Sequence, residues 1–174
     1  MRTLLASTLV SLSVALAAAA TLKFDAPAGW VSKTPSSSMR VAEFTLPKVA
    51  GDAEDAALVI YFFGAAGGGG VQANLDRWMD QMAQPGGGES KAVAKTSNLT
   101  SHGLKVSLVD VSGTYTAEMT PGAGDRVNKP GFRLRAAVVE TPGGAHYVKL
   151  TGPAKTVAKW DEAFTAFIKS LRWE

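Results

Sequence analysis

The sequence predicts an α+β fold in which a mainly antiparallel sheet carries two amphipathic helices. Two observations lead there. The apolar segments are mostly short and follow one another through turns rich in Gly and Pro, which marks hairpins rather than crossovers. Two longer segments instead repeat their apolar residues at helical spacing.

Residues 22–24 read as a short edge strand, residues 26–30 as its turn, and residues 30–33 as extended chain. Residues 39–46 form a strand in which Phe44 and Leu46 alternate with polar neighbours. Residues 47–55 are a loop. Residues 57–63 are continuously apolar and rich in β-branched and aromatic types, which predicts a central strand covered on both faces. Glycines at 64–70 break it. Val71, Leu75, Trp78, Met79 and Met82 then make one helical stripe, with Asp76, Arg77 and Asp80 outside it. Pro85 and the glycines at 86–88 end that helix.

The second half predicts strands at 90–99 and 103–118, with a turn at 101–103. Leu104, Val106 and Leu108 share one face of the longer strand, whereas Val109 and Val111 fall on the other. Either a bulge or burial of both faces explains the switch. Residues 119–130 are a long loop rich in Gly and Pro. Residues 131–141 and 146–151 make a hairpin around 142–144. Pro153 suits the first turn of a helix, whose stripe is Val157, Trp160, Phe164, Phe167, Ile168 and Leu171. The order is β-β-β-α-β-β-β-β-α.

Residues 1–20 have the form of a secretory signal peptide. Arg2 gives a positive start, residues 4–16 are mostly apolar, and residues 17–20 are all alanine. The apolar run is too short to span a bilayer comfortably. The expectation is an exported protein, periplasmic or secreted, with no stable membrane insertion after the leader is removed. Residues 21–174 then form a single domain, since about 150 residues is the usual size of one. There is no cysteine. Disulfides, thiolate metal sites, a cysteine nucleophile and a lipid-modified cysteine are thereby excluded. Of 18 basic residues one, Arg2, lies in the leader, which leaves 17 against 15 acidic residues. So balanced a chain gives no support to nucleic-acid binding.

Phe24 followed by Pro27-Ala28-Gly29-Trp30, within this order of elements, resembles the PsbP-like fold. That fold is shared by the extrinsic subunit of the oxygen-evolving photosystem and the Ran-binding Mog proteins. The resemblance covers residues 22–172 and implies an α/β/α sandwich. Ser38-Met39-Arg40, Arg77-Trp78 and Lys149-Leu150-Thr151-Gly152-Pro153 are similar to segments of uncharacterised exported bacterial proteins. The resemblance carries over the fold and no activity, because none of the photosystem or Ran contacts map residue by residue.

Motifs for chemistry are sparse. The glycines at 64–70 lie between a strand and a helix, where a phosphate loop would lie. They are followed by Val71-Gln72 rather than Gly-Lys-Ser/Thr, so they read as a flexible connector. Glu89 has the spacing of a dinucleotide-site acid but follows a Gly-rich loop, not a strand. The two histidines, His102 and His146, lack metal spacing and read as surface residues. Asp52, Glu54 and Asp55 read as a solvated acidic loop, without the alternation of a calcium loop. Trp78 and Trp160 fall on helix stripes and read as core. Arg133 and Arg135 alternate on one strand face. With Arg126, and with Lys149 placed beside them, they make a candidate patch for an anion or a protein partner. The alternative for these residues is an exposed strand face whose charges discourage edge pairing.

No catalytic, cofactor or metal set emerges. The leading expectation is a non-enzymatic binding or accessory module with an unidentified protein partner. It would act through its surface or through the 119–130 loop. The first alternative is a hydrolytic enzyme whose site assembles Asp110, Glu118, Glu140 and His146. The second is a carrier of small apolar ligands, which requires an enclosed cavity between sheet and helix.

Overall fold

The structure is a computed structural model that describes residues 20–118 and 124–174. The predicted leader, Ala20 apart, and residues 119–123 of the predicted long loop lie outside the described residues.

The described elements run β1 (Leu22–Lys23), β2 (Val31–Lys33), β3 (Arg40–Leu46), β4 (Ala56–Phe62), α1 (Val71–Asp80), β5 (Met82–Ala83), α2 (Ser90–Val93), β6 (Lys95–Ser101), β7 (Leu104–Tyr115), β8 (Lys129–Thr141), β9 (Gly144–Pro153), α3 (Ala154–Lys159), α4 (Asp161–Ser170) and β10 (Arg172–Trp173). One eight-stranded sheet has the order β2-β3-β4-β9-β8-β7, with β5 and β6 end to end along the outer edge of β7. Every pairing is antiparallel. The chain termini of the described fold meet in a separate ribbon, β1 with β10. This is the α+β fold with a mainly antiparallel sheet that the sequence predicts.

Alternation along the strands divides the sheet into two faces. On the first face, Leu46, Leu58, Ile60, Val106, Val139, Val148 and Leu150 pack against Val157 of α3 and Phe164, Phe167 and Ile168 of α4. Each of these apolar side chains is worth roughly 1.5–3 kcal/mol when fully buried. On the second face, Val109, Val111, Leu134, Ala136, Val138 and Tyr147 pack against Leu75, Trp78 and Met79 of α1. The switch between Leu108 and Val109 therefore reflects burial of both faces. The register with β8 runs unbroken there, and its irregularity falls later, between Gly113 and Tyr115.

Several elements differ from their expected form. β4 is covered on one face only: Ala56, Leu58 and Ile60 are buried, but Ala57 is exposed and Val59 and Tyr61 are half-buried. α1 packs over β7 and β8, so the second face stays open along β2, β3 and β4. α1 ends at Asp80, because Met82 and Ala83 pair with Tyr115 and Thr114 as β5. Residues 90–93 form the short helix α2 instead of the start of a strand. The Ser90 hydroxyl holds it there, donating to the Met82 carbonyl and accepting from Gln84 Nε2. The predicted C-terminal helix breaks into α3 and α4 at Trp160, which is only half-buried (φ −99°, ψ 10°). Its Nε1 donates to the Pro47 carbonyl at 3.1 Å, and its ring lies under Gly29.

Candidate functional site

The second face holds the site, where the end of α1 meets β4, β9 and the end of β7. The loop at 64–70 sets the angle of α1. Asn74 Nδ2 donates to the carbonyls of Gly68 (2.7 Å) and Gly70 (2.9 Å), and the Tyr147 hydroxyl lies 2.9 Å from the carbonyl of Gly69. Gly68 (φ +85°) is required there, since a Cβ would run into the Tyr147 ring. The loop is therefore tied down through its carbonyls rather than left as a flexible connector.

With α1 so placed, Arg77, Trp78 and Gln81 face Tyr61, Phe63, Tyr147 and Lys149 across a cleft of about 160 Å3. Phe63, Arg77 and Gln81 also line a wider recess of about 500 Å3, together with Asp80, Ala117, Glu118 and Arg126. The Tyr61 and Phe63 rings are parallel (6°) with centroids 5.9 Å apart, and Tyr147 lies 5.6 Å from Phe63. Phe63 is 39% exposed, so the aromatic wall reaches solvent.

Lys149 is the unusual group. Its ammonium donates to Gln81 Oε1 at 2.6 Å and to the Tyr115 hydroxyl at 2.9 Å. Burial, helped by the nearby positive charge of Arg77, pushes its pKa down to about 8. Burial also raises Tyr115, to about 12, so that hydroxyl stays neutral. Arg77 donates to Asn74 Oδ1, another neutral partner. Among the described residues neither cation makes an ion pair.

The structure divides the basic group expected from the sequence. Lys149 pairs in register with Ala136, and Arg135 with Leu150, so Lys149 lies on the opposite face of the sheet from Arg133 and Arg135. The two arginines are engaged. Arg133 contacts Asp110 (2.6 Å) and Asp161 (3.0 Å), and Arg135 contacts Asp161 (2.9 Å) and Asp110 (3.5 Å). Arg135 also lies over the Phe164 ring at 4.5 Å. This network bolts the start of α4 to β7 and β8. Hydrogen bonds to Asp110 and Asp161 raise the Arg133 pKa further. Arg126 instead stands at the rim of the recess, 3.7 Å from Glu118.

Two other residues differ from expectation. His146 is buried, at 4% exposure, against the expectation of a surface histidine. It stacks on Phe62 (4.6 Å, 18°) and meets Trp173 edge-on at 6.0 Å. Desolvation lowers its pKa, although a bond to the Gly144 carbonyl partly opposes this. Asp52, expected as a solvated acid, caps α3: its Oδ2 accepts from the Thr156 amide (2.9 Å) and hydroxyl (2.6 Å). His102 occupies the exposed two-residue turn before β7, as its Ser-His-Gly context suggests, with φ +46°.

The residues weighed for hydrolysis do not converge. Asp110 is held by Arg133 and Arg135, and Glu140 pairs with Lys105 five positions further along β7. That separation is about 16 Å of strand. His146 and Glu140 point to opposite faces, and Glu118 bridges to Arg126. Among the described residues no group of three His, Asp or Glu side chains could hold a metal ion. No described helix is long and apolar enough to cross a membrane.

No family model matches the sequence, and no curated protein does. Among solved structures, the chain is similar to LpqN of Mycobacterium tuberculosis, which is involved in cell envelope biogenesis. The identity is 13%, over 89% of this chain and 84% of that one, with a TM-score of 0.53. A protein of unknown function from Pseudomonas aeruginosa, PA94, matches at 17% identity over 75% of this chain and 80% of that one, with a TM-score of 0.47. The likeness to LpqN is one of fold.

Proposed function

We propose that this chain is an exported, non-enzymatic binding module of the cell envelope, a single PsbP-like domain at residues 21–174 that captures its ligand or partner in the Arg77–Lys149 cleft. One observation carries this reading. A half-buried ammonium and a neighbouring exposed guanidinium line an aromatic cleft, beside the open half of the sheet, without a carboxylate partner among the described residues. The desolvated Lys149 ammonium costs folding energy, which an anionic group from outside would relieve. The predicted leader and the fold likeness to an envelope-biogenesis protein support the cellular setting. The Arg133–Asp110–Arg135–Asp161 network, in this reading, is a brace for α4 rather than a docking patch.

The test is made in the source cells. The expected protein begins at Thr21 and is recovered from the envelope or medium. A photo-reactive residue at Phe63 yields a discrete adduct, while one at exposed Lys155 does not. Retention of Met1 in the cytoplasm would overturn export. Turnover of an ester, phosphate, glycoside or peptide substrate, lost on a single substitution, would overturn the non-enzymatic reading.

A further inference from the structure

We propose that the cleft between α1 and β9 binds a small organic carboxylate with a flat apolar body, its charged end held between Lys149 and Arg77. The inference rests on the binding reading above and names the ligand class.

Charge gives the first argument. Among the described residues every arginine but Arg77 meets a carboxylate within 4 Å, as do Lys91 and Lys129, and the lysines that meet none are, Lys149 apart, exposed to water. Lys149 and Arg77, side by side in the cleft, instead meet a glutamine, a neutral phenol and an asparagine. An anion between them would complete both shells with charge-assisted bonds. Lys149 already has two acceptors, and an ammonium has three donors, so one remains for a ligand oxygen.

Shape gives the second. The inner cleft, at about 160 Å3, holds the space of roughly five waters. Its walls are the parallel Tyr61 and Phe63 rings with Trp78 and Tyr147, surfaces that favour a planar or aromatic group. The outer recess adds Asp80 and Glu118. Glu118 is paired there with Arg126, so Asp80 is the carboxylate that disfavours a second negative charge at the mouth, and the fit is to a single anionic end with an apolar remainder.

The experiment uses the full chain, expressed with its leader and purified from the host, in calorimetric titrations with 3-phenylpropionate. Its neutral amide and inorganic phosphate are run beside it. The acid is expected to bind with a Kd below about 1 mM, and the amide at least about tenfold more weakly. Lys149→Met and Arg77→Gln should each weaken the acid by about tenfold or more, whereas Lys155→Met should not. Arg77 is exposed, so its variant tests the site even where the Lys149 variant fails to fold. Equal binding of acid and amide, displacement of the acid by phosphate, or unchanged affinity in Arg77→Gln would each overturn the inference. An adduct from Phe63 without binding of the acid removes the ligand class and leaves the binding reading. The absence of both removes the binding reading itself.

Discussion

The Lys149 ammonium lies 2.9 Å from the Tyr115 hydroxyl and 5.0 Å from the centre of the same ring. One aromatic residue thus accepts its hydrogen bond and also faces its charge. Neither contact neutralises it, and burial leaves the ammonium easier to deprotonate than an ordinary lysine.

This gives a pH signature. The Lys149 pKa falls from 10.5 in the unfolded chain to about 8 in the folded one. Between those values the unfolded chain holds the proton and the folded chain has released it, so stability rises with pH across that window. The contribution reaches about 3 kcal/mol. Urea unfolding of the wild type and Lys149→Met should therefore converge in the wild type's favour from pH 8 to 10.5. A constant difference would contradict the desolvated ammonium.

His146 gives a second signature, at lower pH. Its folded pKa lies below 6.5, so below that pH the unfolded chain takes up a proton that the folded chain resists. Stability should fall as the pH drops from 7.5 to 5.5. His146→Phe keeps a ring between Phe62 and Trp173 and should remove that part of the loss. Equal losses in both proteins would place the titration elsewhere.

The Asp52 cap on α3 should be worth about 2 kcal/mol, because losing it leaves the amide and hydroxyl of fully buried Thr156 without their acceptor. Asp52→Ala should lower the unfolding free energy by that amount. Adding Thr156→Val should give a combined loss smaller than the sum of the two. Strict additivity would mean that the two side chains act independently.

The brace of α4 should behave cooperatively. Asp161→Asn leaves Asp110 as the one carboxylate of this network facing Arg133 and Arg135 and removes an acid from the first turn of α4. Asp161 is 40% exposed at its side chain, which holds the expected loss to about 1–2 kcal/mol. Thermal unfolding measures it. Raising the salt concentration should shrink the difference between the two proteins.

Much of the fold is legible in the sequence because alternation and helical spacing record burial directly. Val71, Leu75, Trp78 and Met79 mark α1, and Phe164, Phe167 and Ile168 mark α4. The misreadings arise where partners distant in sequence override a local pattern. Residues 90–93 turn helical because Met82 and Gln84 hold Ser90, and β4 loses cover because α1 lies over β7 and β8. The site is less legible. Arg133, Arg135 and Lys149 all look like strand charges, and only the register between β8 and β9 puts Lys149 on the other face. One signal was available: Lys149 interrupts the run Tyr147-Val148-Leu150, whose members are all buried, so its charge had to find a recess. Nothing local reveals that Gln81 and Tyr115 supply its acceptors.

The most direct test of the account is the titration of the Lys149 side chain by NMR in the full chain, with the signal assigned by its loss in Lys149→Met. The account predicts a pKa of about 8 in the free protein, rising toward 10.5 when 3-phenylpropionate is added. A free value near 10.5, or a value that the carboxylate leaves unmoved, would contradict it.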